Sequence, residues 1–193
     1  WAGVQDLVVA GGVQNMSMIP IGMALEAAVP LGHDDPFSGS EGWVERYGTQ
    51  EISQFRGAEM IAEKWDISRE KMEEFAFESH QRALTAIGEG RFDNEIIPIA
   101  QAEMDEGPRR DISMDRMSTL NPLVEGGRLT AALASQISDG AAALLIASEK
   151  AVKELGLTPR ARIHHVSVRG DDPVFMLTGP IPATTYALNK TGM

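Results

Sequence analysis

Seven residues from Ala141 to Ala147 are apolar without alternation, Ser148 follows, and the stretch EKAVKEL then runs to Gly156. A short continuous apolar run reads as a strand covered on both faces by other layers. Ser148 is a good helix N-cap, and Gly156 fits the position after a helix where left-handed backbone is needed. A strand followed at once by a helix is α/β layering. The residues before it, TAALASQISDG from Thr130 to Gly140, are poor in charge and crowded with Ala and Ser.

Other stretches extend the pattern. Leu7 to Ala10 is apolar and stops at Gly11-Gly12, as for a buried strand that empties into a loop where backbone passes close to something. From Leu31 to Leu129 the composition turns charged, and two amphipathic helices are predicted. One covers roughly Gln50 to Trp65. The other starts after Ser68 with Glu70 in its first turn, places Met72, Phe75, Ala76 and Ala83 on one stripe, and ends at Gly88 and Gly90. The following segment to Gly127 is long, polar and proline-bearing, the profile of a functional or disordered loop. After Pro159, ARIHHVSVRG alternates and is rich in β-branched residues, so another strand is predicted there. A loop and a final helix stopped by Gly192 complete the chain, and with no strand after that helix the sheet is expected to be incomplete.

Composition narrows the functional classes. With 193 residues and 43% hydrophobic content the chain can bury a core, and the length also suits part of a larger protein. No apolar run of 18 residues occurs, and the start WAGVQDLVVAGG has no basic leader, so a soluble, cytoplasmic protein without a membrane partner is expected. A net charge of −11 with Lys and Arg interspersed among acids argues against nucleic acid as a partner. The absence of cysteine removes disulfides, thiolate metal sites and thiol nucleophiles from these residues.

Four stretches together resemble the thiolases, the acetyl-CoA acetyltransferase and 3-ketoacyl-CoA thiolase family. VVAGGVQNMSMIP is similar to the family's glycine-glycine strand end and Met-Ser segment, and ISREKMEEFAFESHQRALTAIGEGRFDNEIIPI to the helix and exit of its loop domain. LTAALASQISDGAAALLIAS resembles its Thr-Ala-Gly-Asn-Ala-Ser and Asp-Gly-Ala signature, and DDPVFMLTGPIPATTYAL the start of its C-terminal half. The resemblance implies an α/β thiolase fold, a layered αβαβα core that is incomplete here, with an inserted, mostly helical loop domain. Residues 1–30 would end the N-terminal half of the core and 31–129 would form the loop domain. Residues 130–160 would return to that half, and 161–193 would begin the C-terminal half.

The function implied is acetyl transfer between acyl-CoA and coenzyme A, by thiolysis or Claisen condensation, in fatty-acid or sterol side-chain metabolism such as β-oxidation. A Cys thioester would carry the acetyl group, with His activating that thiol and a second Cys moving the substrate α-proton. The family's nucleophilic Cys, Gly-His-Pro motif and second Cys motif match nothing in these residues, so no catalytic residue is assigned. A non-catalytic thiolase-like carrier of lipid or acyl-CoA is the alternative. Coenzyme A and acyl-CoA are the expected ligands, as substrates, with no metal, and a homodimer or homotetramer is the expected assembly.

The site residues carried over are coenzyme A contacts. Ser135 matches the Ser whose hydroxyl bonds the pantetheine amide, with Ala131 and Ile137 on the same wall. Met176 matches a Met lining the acyl end of the tunnel. Arg109, with Arg110 nearly as well aligned, matches the Arg at the adenine-nucleotide end, where a guanidinium can fork onto phosphate oxygens and stack on adenine. Ordinary readings stand beside these: Ser135 as a turn residue, the Arg pair as solvated charges, the Ala-rich run as tight packing.

Some features depart from the pattern or invite other chemistry. Ala132 stands where the signature usually has Gly, Leu133 where it has Asn, and Ile21 where short-chain enzymes often have His; the latter two changes make the site more apolar and fit a longer acyl chain. His164-His165 invites a metal, but neighbours on a strand point to opposite faces. Asp34-Asp35 and Asp171-Asp172 read as turn caps, and His80 as a packing or hydrogen-bonding residue on the loop-domain helix.

Overall fold

The structure, a computed structural model, describes residues 3–33, 35, 37, 40–100 and 102–193. In chain order the elements are β1 (Leu7–Asn15), α1 (Met23–Glu26), a 3-10 turn at Val29–Leu31, α2 (Glu41–Tyr47), α3 (Gln54–Lys64), α4 (Arg69–Gly88), α5 (Met114–Ser118), β2 (Asp139–Ala147), α6 (Glu149–Leu155) and α7 (Pro180–Thr191). They divide between two compact units. Trp1–Val44, Ile137–Gly170 and Pro180–Met193 make the first; Glu45–Gln136 and Asp171–Gly179 make the second.

The first unit is built on β1 and β2, antiparallel partners from Leu7 opposite Ala147 to Asn15 opposite Asp139. β1 does not stop at Gly11-Gly12, as its apolar run predicted, but continues to Asn15. The ladder to β2 supplies hydrogen bonds that outweigh glycine's weak strand preference. The close approach expected at this point is to β2 itself: a Cβ on Gly11 would lie 2.6 Å from the Ala142 carbonyl oxygen. Small residues therefore face small residues, with Gly11 opposite Ala143 and Gly12 opposite Ala142.

Both ends of the ladder are fastened by aspartates. At one end Asp6 accepts from the Ser148 hydroxyl (2.8 Å) and from Lys150 (3.3 Å), and its carbonyl accepts the Ser148 N–H (2.8 Å). At the other, Asp139 accepts from the Ser17 N–H (2.8 Å) and the Ser17 hydroxyl (2.5 Å). The Ser17 hydroxyl and then its N–H hold the Asp139 carboxyl below its ordinary pKa of 3.8, because both favour the charged form.

Three sequence expectations need correction here. Both strands were expected to be buried, yet every residue of β1 and all of β2 except Ala147 are exposed. Their apolar character is set by layers that the described residues do not supply. The predicted strand in ARIHHVSVRG does not form, since alternation marks a face but a strand also needs a partner ladder. That segment is fastened instead through side chains to α7: the Ser167 hydroxyl donates to the Ala183 carbonyl (3.0 Å), and the Arg169 guanidinium lies 3.5 Å from the centre of the Tyr186 ring. The argument that strand geometry separates His164 from His165 loses its basis with the strand.

In the second unit, α3 starts at Gln54, four residues later than predicted, because Ser53 is the cap and accepts the Arg56 N–H (3.1 Å). α4 begins and ends as predicted, with the Ser68 hydroxyl accepting the Lys71 N–H (3.3 Å) and Gly90 in left-handed backbone beyond its end. The predicted stripe on α4 is not a core stripe: Phe75 is 77% exposed, whereas Glu73 is buried at 3% exposure. Glu73 is buried because Arg69 pairs with it at 2.7 Å. The Arg69 Nη2 also donates to the carbonyls of Met117 (3.0 Å), Ser118 (3.1 Å) and Leu120 (2.9 Å), capping the C-terminal end of α5 with a cation. One side chain thus fixes α5 against α4.

Two outcomes follow for the full-length protein. Arg69→Met leaves the Glu73 carboxylate buried without its partner and should destabilise by about 3–5 kcal/mol, while adding Glu73→Leu should recover much of that loss; denaturant unfolding of the single and double variants measures both. A carboxyl with a lowered folded-state pKa stabilises above its ordinary value and loses that contribution as pH falls through the folded-state value. The melting-temperature gap between the natural protein and Asp139→Asn should therefore be full at neutral pH and close below pH 3.8; a gap that stays constant in acid would remove the Ser17 bonds from the account.

Candidate functional site

The stretch that carries Ala131 and Ser135 is placed by a carboxylate from α3. One oxygen of Glu59 accepts the N–H groups of Arg128 (2.6 Å) and Leu129 (2.7 Å), and the other lies 3.8 Å from the Arg128 guanidinium. The chain arrives there through a tight reversal: Leu123 donates to the Leu129 carbonyl (2.8 Å), Gly127 to the Val124 carbonyl (2.9 Å), and Gly126 has φ of 73°. Gly127 is required by space, since a Cβ there would fall 2.8 Å from the Glu59 oxygen and 3.0 Å from the Val124 carbonyl. Neither Glu59 nor Gly127 was singled out from the sequence. The Gly-Gly pair before Arg128 was the available signal for the turn; Glu59 gave none.

Beyond this anchor Thr130 is fully buried, and the Leu133 N–H returns to its carbonyl (3.0 Å), so residues 131–134 form a compact turn. Ala132, Leu133 and Ala134 are half-buried, whereas Ala131 and Ser135 are exposed. The Ser135 hydroxyl makes no hydrogen bond among the described residues. Leu129 and Leu133 face Ile67, Met72, Phe75 and Ala76 across a cavity of about 390 Å³, with Lys71 also at its wall. Leu133, in place of the signature's Asn, is part of that apolar lining.

Immediately after Ser135, the Gln136 amide donates to the Gly107 carbonyl at 2.6 Å. Gly107 also donates to Asp105 (2.9 Å), and two residues on, the Arg109 N–H donates to Nδ1 of His80 at 3.0 Å. This is the hydrogen-bonding role expected for His80. Arg109 and Arg110 are both exposed, but Arg110 leans on Met104, its Nη2 3.6 Å from the sulfur. The Asp111 carboxyl is held below its ordinary pKa chiefly by its hydrogen bond from Arg116, with a smaller attraction from Arg109.

Met176 takes the left-handed backbone conformation (φ 58°) that side chains rarely adopt. Its segment reaches α3 at Gly57, where a Cβ would lie 2.6 Å from the Phe175 carbonyl oxygen. Asp172 caps this turn, accepting the Val174 N–H (2.8 Å) as expected of the second acidic pair. In the first pair, Asp35 accepts from Phe37 (2.8 Å), and Asp34 lies outside the described residues. Ile137 belongs to the first unit, exposed just before β2. Ser135, Arg109, Arg110, Ala131 and Met176 thus share the second unit, and the Gln136–Gly107 bond ties the first two stretches together. Among the described residues no group of three or more His, Asp or Glu is arranged to hold a metal ion, and no helix is long and apolar enough to cross a membrane.

Comparison with known proteins decides the family. Residues 1–150 match the family model described as the thiolase N-terminal domain. The chain belongs to the thiolase family. It is 60% identical to a Mycobacterium tuberculosis protein named steroid 3-ketoacyl-CoA thiolase FadA6, a match covering 100% of this chain and 48% of that one. It is 35% identical to the 3-oxoadipyl-CoA/3-oxo-5,6-dehydrosuberyl-CoA thiolase of Escherichia coli, over 100% of this chain and 52% of that one. Among solved structures it resembles the Bacillus anthracis acetyl-CoA acetyltransferase with a TM-score of 0.73 and 33% identity, over 97% of this chain and 50% of that one. The chain therefore spans about half the length of these relatives, and its fold is a partial α/β thiolase fold.

The anchor at Glu59 generates its own test. Glu59→Ala strands two N–H groups and should destabilise by about 1–3 kcal/mol, while Glu59→Gln, which keeps an accepting oxygen, should cost less. Hydrogen exchange across 128–133 should quicken in Glu59→Ala, and an unchanged exchange pattern would show that the turn holds itself.

Proposed function

We propose that the full-length protein is a thiolase-type acyltransferase that moves acetyl between acyl-CoA and coenzyme A, and that this chain supplies coenzyme A contacts while the reacting Cys and His lie outside it. In the degradative direction the coenzyme A thiol takes the acyl group released when a 3-ketoacyl-CoA gives up acetyl-CoA; Claisen condensation is the reverse. The enzyme's Cys holds the acyl or acetyl group as a thioester between the two halves of the reaction. Residues 31–129 act in this reading as the loop domain inserted in the layered core, and the assembled protein is a homodimer or homotetramer.

The observation that carries the reading is the 2.6 Å bond from Gln136 to the Gly107 carbonyl. It links the residue after Ser135, assigned to the pantetheine amide, with the stretch presenting Arg109, assigned to the nucleotide end. A ligand with a neutral amide arm and a phosphorylated nucleotide suits that pairing of an exposed hydroxyl with an exposed guanidinium. Ala131 offers a wall with only a methyl group beside the arm, and the apolar residues around Leu133 favour an acyl chain longer than acetoacetyl. Steroid substrates of the relative 60% identical to this chain fit the same direction.

The two contacts differ in kind and separate by calorimetry on the full-length protein. Ser135→Ala removes a neutral hydrogen bond and should weaken coenzyme A by about 1 kcal/mol at any salt concentration. Arg109→Ala should cost a similar amount at low ionic strength and much less at high, because exposed charge is screened over about 8–10 Å. If Ser135→Ala leaves the affinity unchanged, the pantetheine assignment fails. Binding without any thiolysis or condensation would favour the acyl-CoA carrier.

A further inference from the structure

Arg109 can meet a phosphate reproducibly only if the main chain that carries it is fixed. Its guanidinium is at the end of a long, exposed side chain, so every freedom in the backbone beneath adds to the entropy lost on binding. That backbone is held at two points. The Gly107 carbonyl is taken by Gln136 at 2.6 Å, and the Arg109 N–H is taken by Nδ1 of His80 at 3.0 Å. His80 is half-buried on α4, whose start is capped by Ser68 and bound through Arg69 to α5. A ring nitrogen accepts such a bond only when it carries no proton itself.

We propose that His80 is a positioning residue for ligand binding: by accepting the Arg109 N–H it sets where the Arg109 guanidinium meets a phosphate of coenzyme A, without touching the ligand. The proposal rests on the reading of Arg109 given above. It differs from a packing role because it needs an acceptor at one ring atom, and because its effect must pass through Arg109.

The test is calorimetry of coenzyme A binding to the full-length protein with His80→Asn, His80→Phe, Arg109→Ala and the double variant of the last two. Asn can place an accepting oxygen near the site of Nδ1 and should bind within about twofold of the natural protein. Phe keeps a ring without an acceptor and should bind about fivefold more weakly, the scale of one hydrogen bond. In the Arg109→Ala background, His80→Phe should then add nothing. Equal losses in Asn and Phe, no loss in Phe, or a full further loss in the double variant would each overturn the positioning role while leaving Arg109 in place. An Arg109→Ala protein that binds like the natural one would remove the nucleotide reading, and the proposal with it. Should His80→Phe fail to fold, hydrogen exchange of the natural protein reads the same bond: a protected Arg109 amide supports it, and exchange at the rate of free peptide overturns it.

Discussion

The carboxylate of Glu59 is the interaction on which the candidate site depends. It lies on α3 and takes the N–H groups of Arg128 and Leu129, some seventy residues along the chain. Those two donors stand at the exit of a tight reversal and find their partner in Glu59, without which the loop would leave them to water or unpaired. Fixing them sets the direction in which Thr130 enters the unit, and a fully buried Thr130 sets where the small-residue turn begins. Gly127 is the companion constraint: a Cβ there would crowd the Glu59 oxygen at 2.8 Å and push it off its two donors.

How much of this could be read from the sequence depends on the range over which each interaction acts. Ser68 and Ser148 were legible as caps because a cap is decided within four residues, and both accept the N–H three positions on. Ser53 and Ser113 obey the same rule, accepting the N–H groups of Arg56 and Arg116, and the helix boundary read from the sequence at Gln50 passed over the first of them. The apolar runs of β1 and β2 were legible as strands, whereas their antiparallel pairing across more than a hundred residues was not. ARIHHVSVRG shows the converse, a good strand pattern with no ladder among the described residues. Glu59, Gln136 and the bond of His80 to Arg109 join distant segments, and composition leaves no trace of them. The site residues themselves came from resemblance, which locates a residue by its relatives and says nothing of what holds it.

The two strands make the energetic situation of the first unit plain. β1 and β2 satisfy each other's backbone along one edge and are tied at both ends by Asp6 and Asp139, yet their Val, Leu and Ile side chains stand in solvent. Exposed apolar faces of this extent mark surfaces that other layers cover in a stable protein. The thiolase family's layered core is an arrangement in which both faces of a sheet are covered, and the small residues of β2 against Gly11-Gly12 allow close strand approach within it. Pairing between the two strands is continuous along their shared edge; burial of their faces is not.

The anchors of the site share one property with consequences for its chemistry. Glu59 holds main-chain N–H groups, Gln136 holds a main-chain carbonyl, and His80 holds a main-chain N–H. None of them relies on the side chains of residues 131–135. The surface of this turn can therefore change in polarity without changing in shape. Leu133 is such a case: it puts an apolar group at the cavity beside α4, while the turn around it is still placed by Thr130 and Glu59. A change of surface polarity and an unchanged shape are compatible within one loop because its geometry is fixed by the backbone and its surface by the side chains.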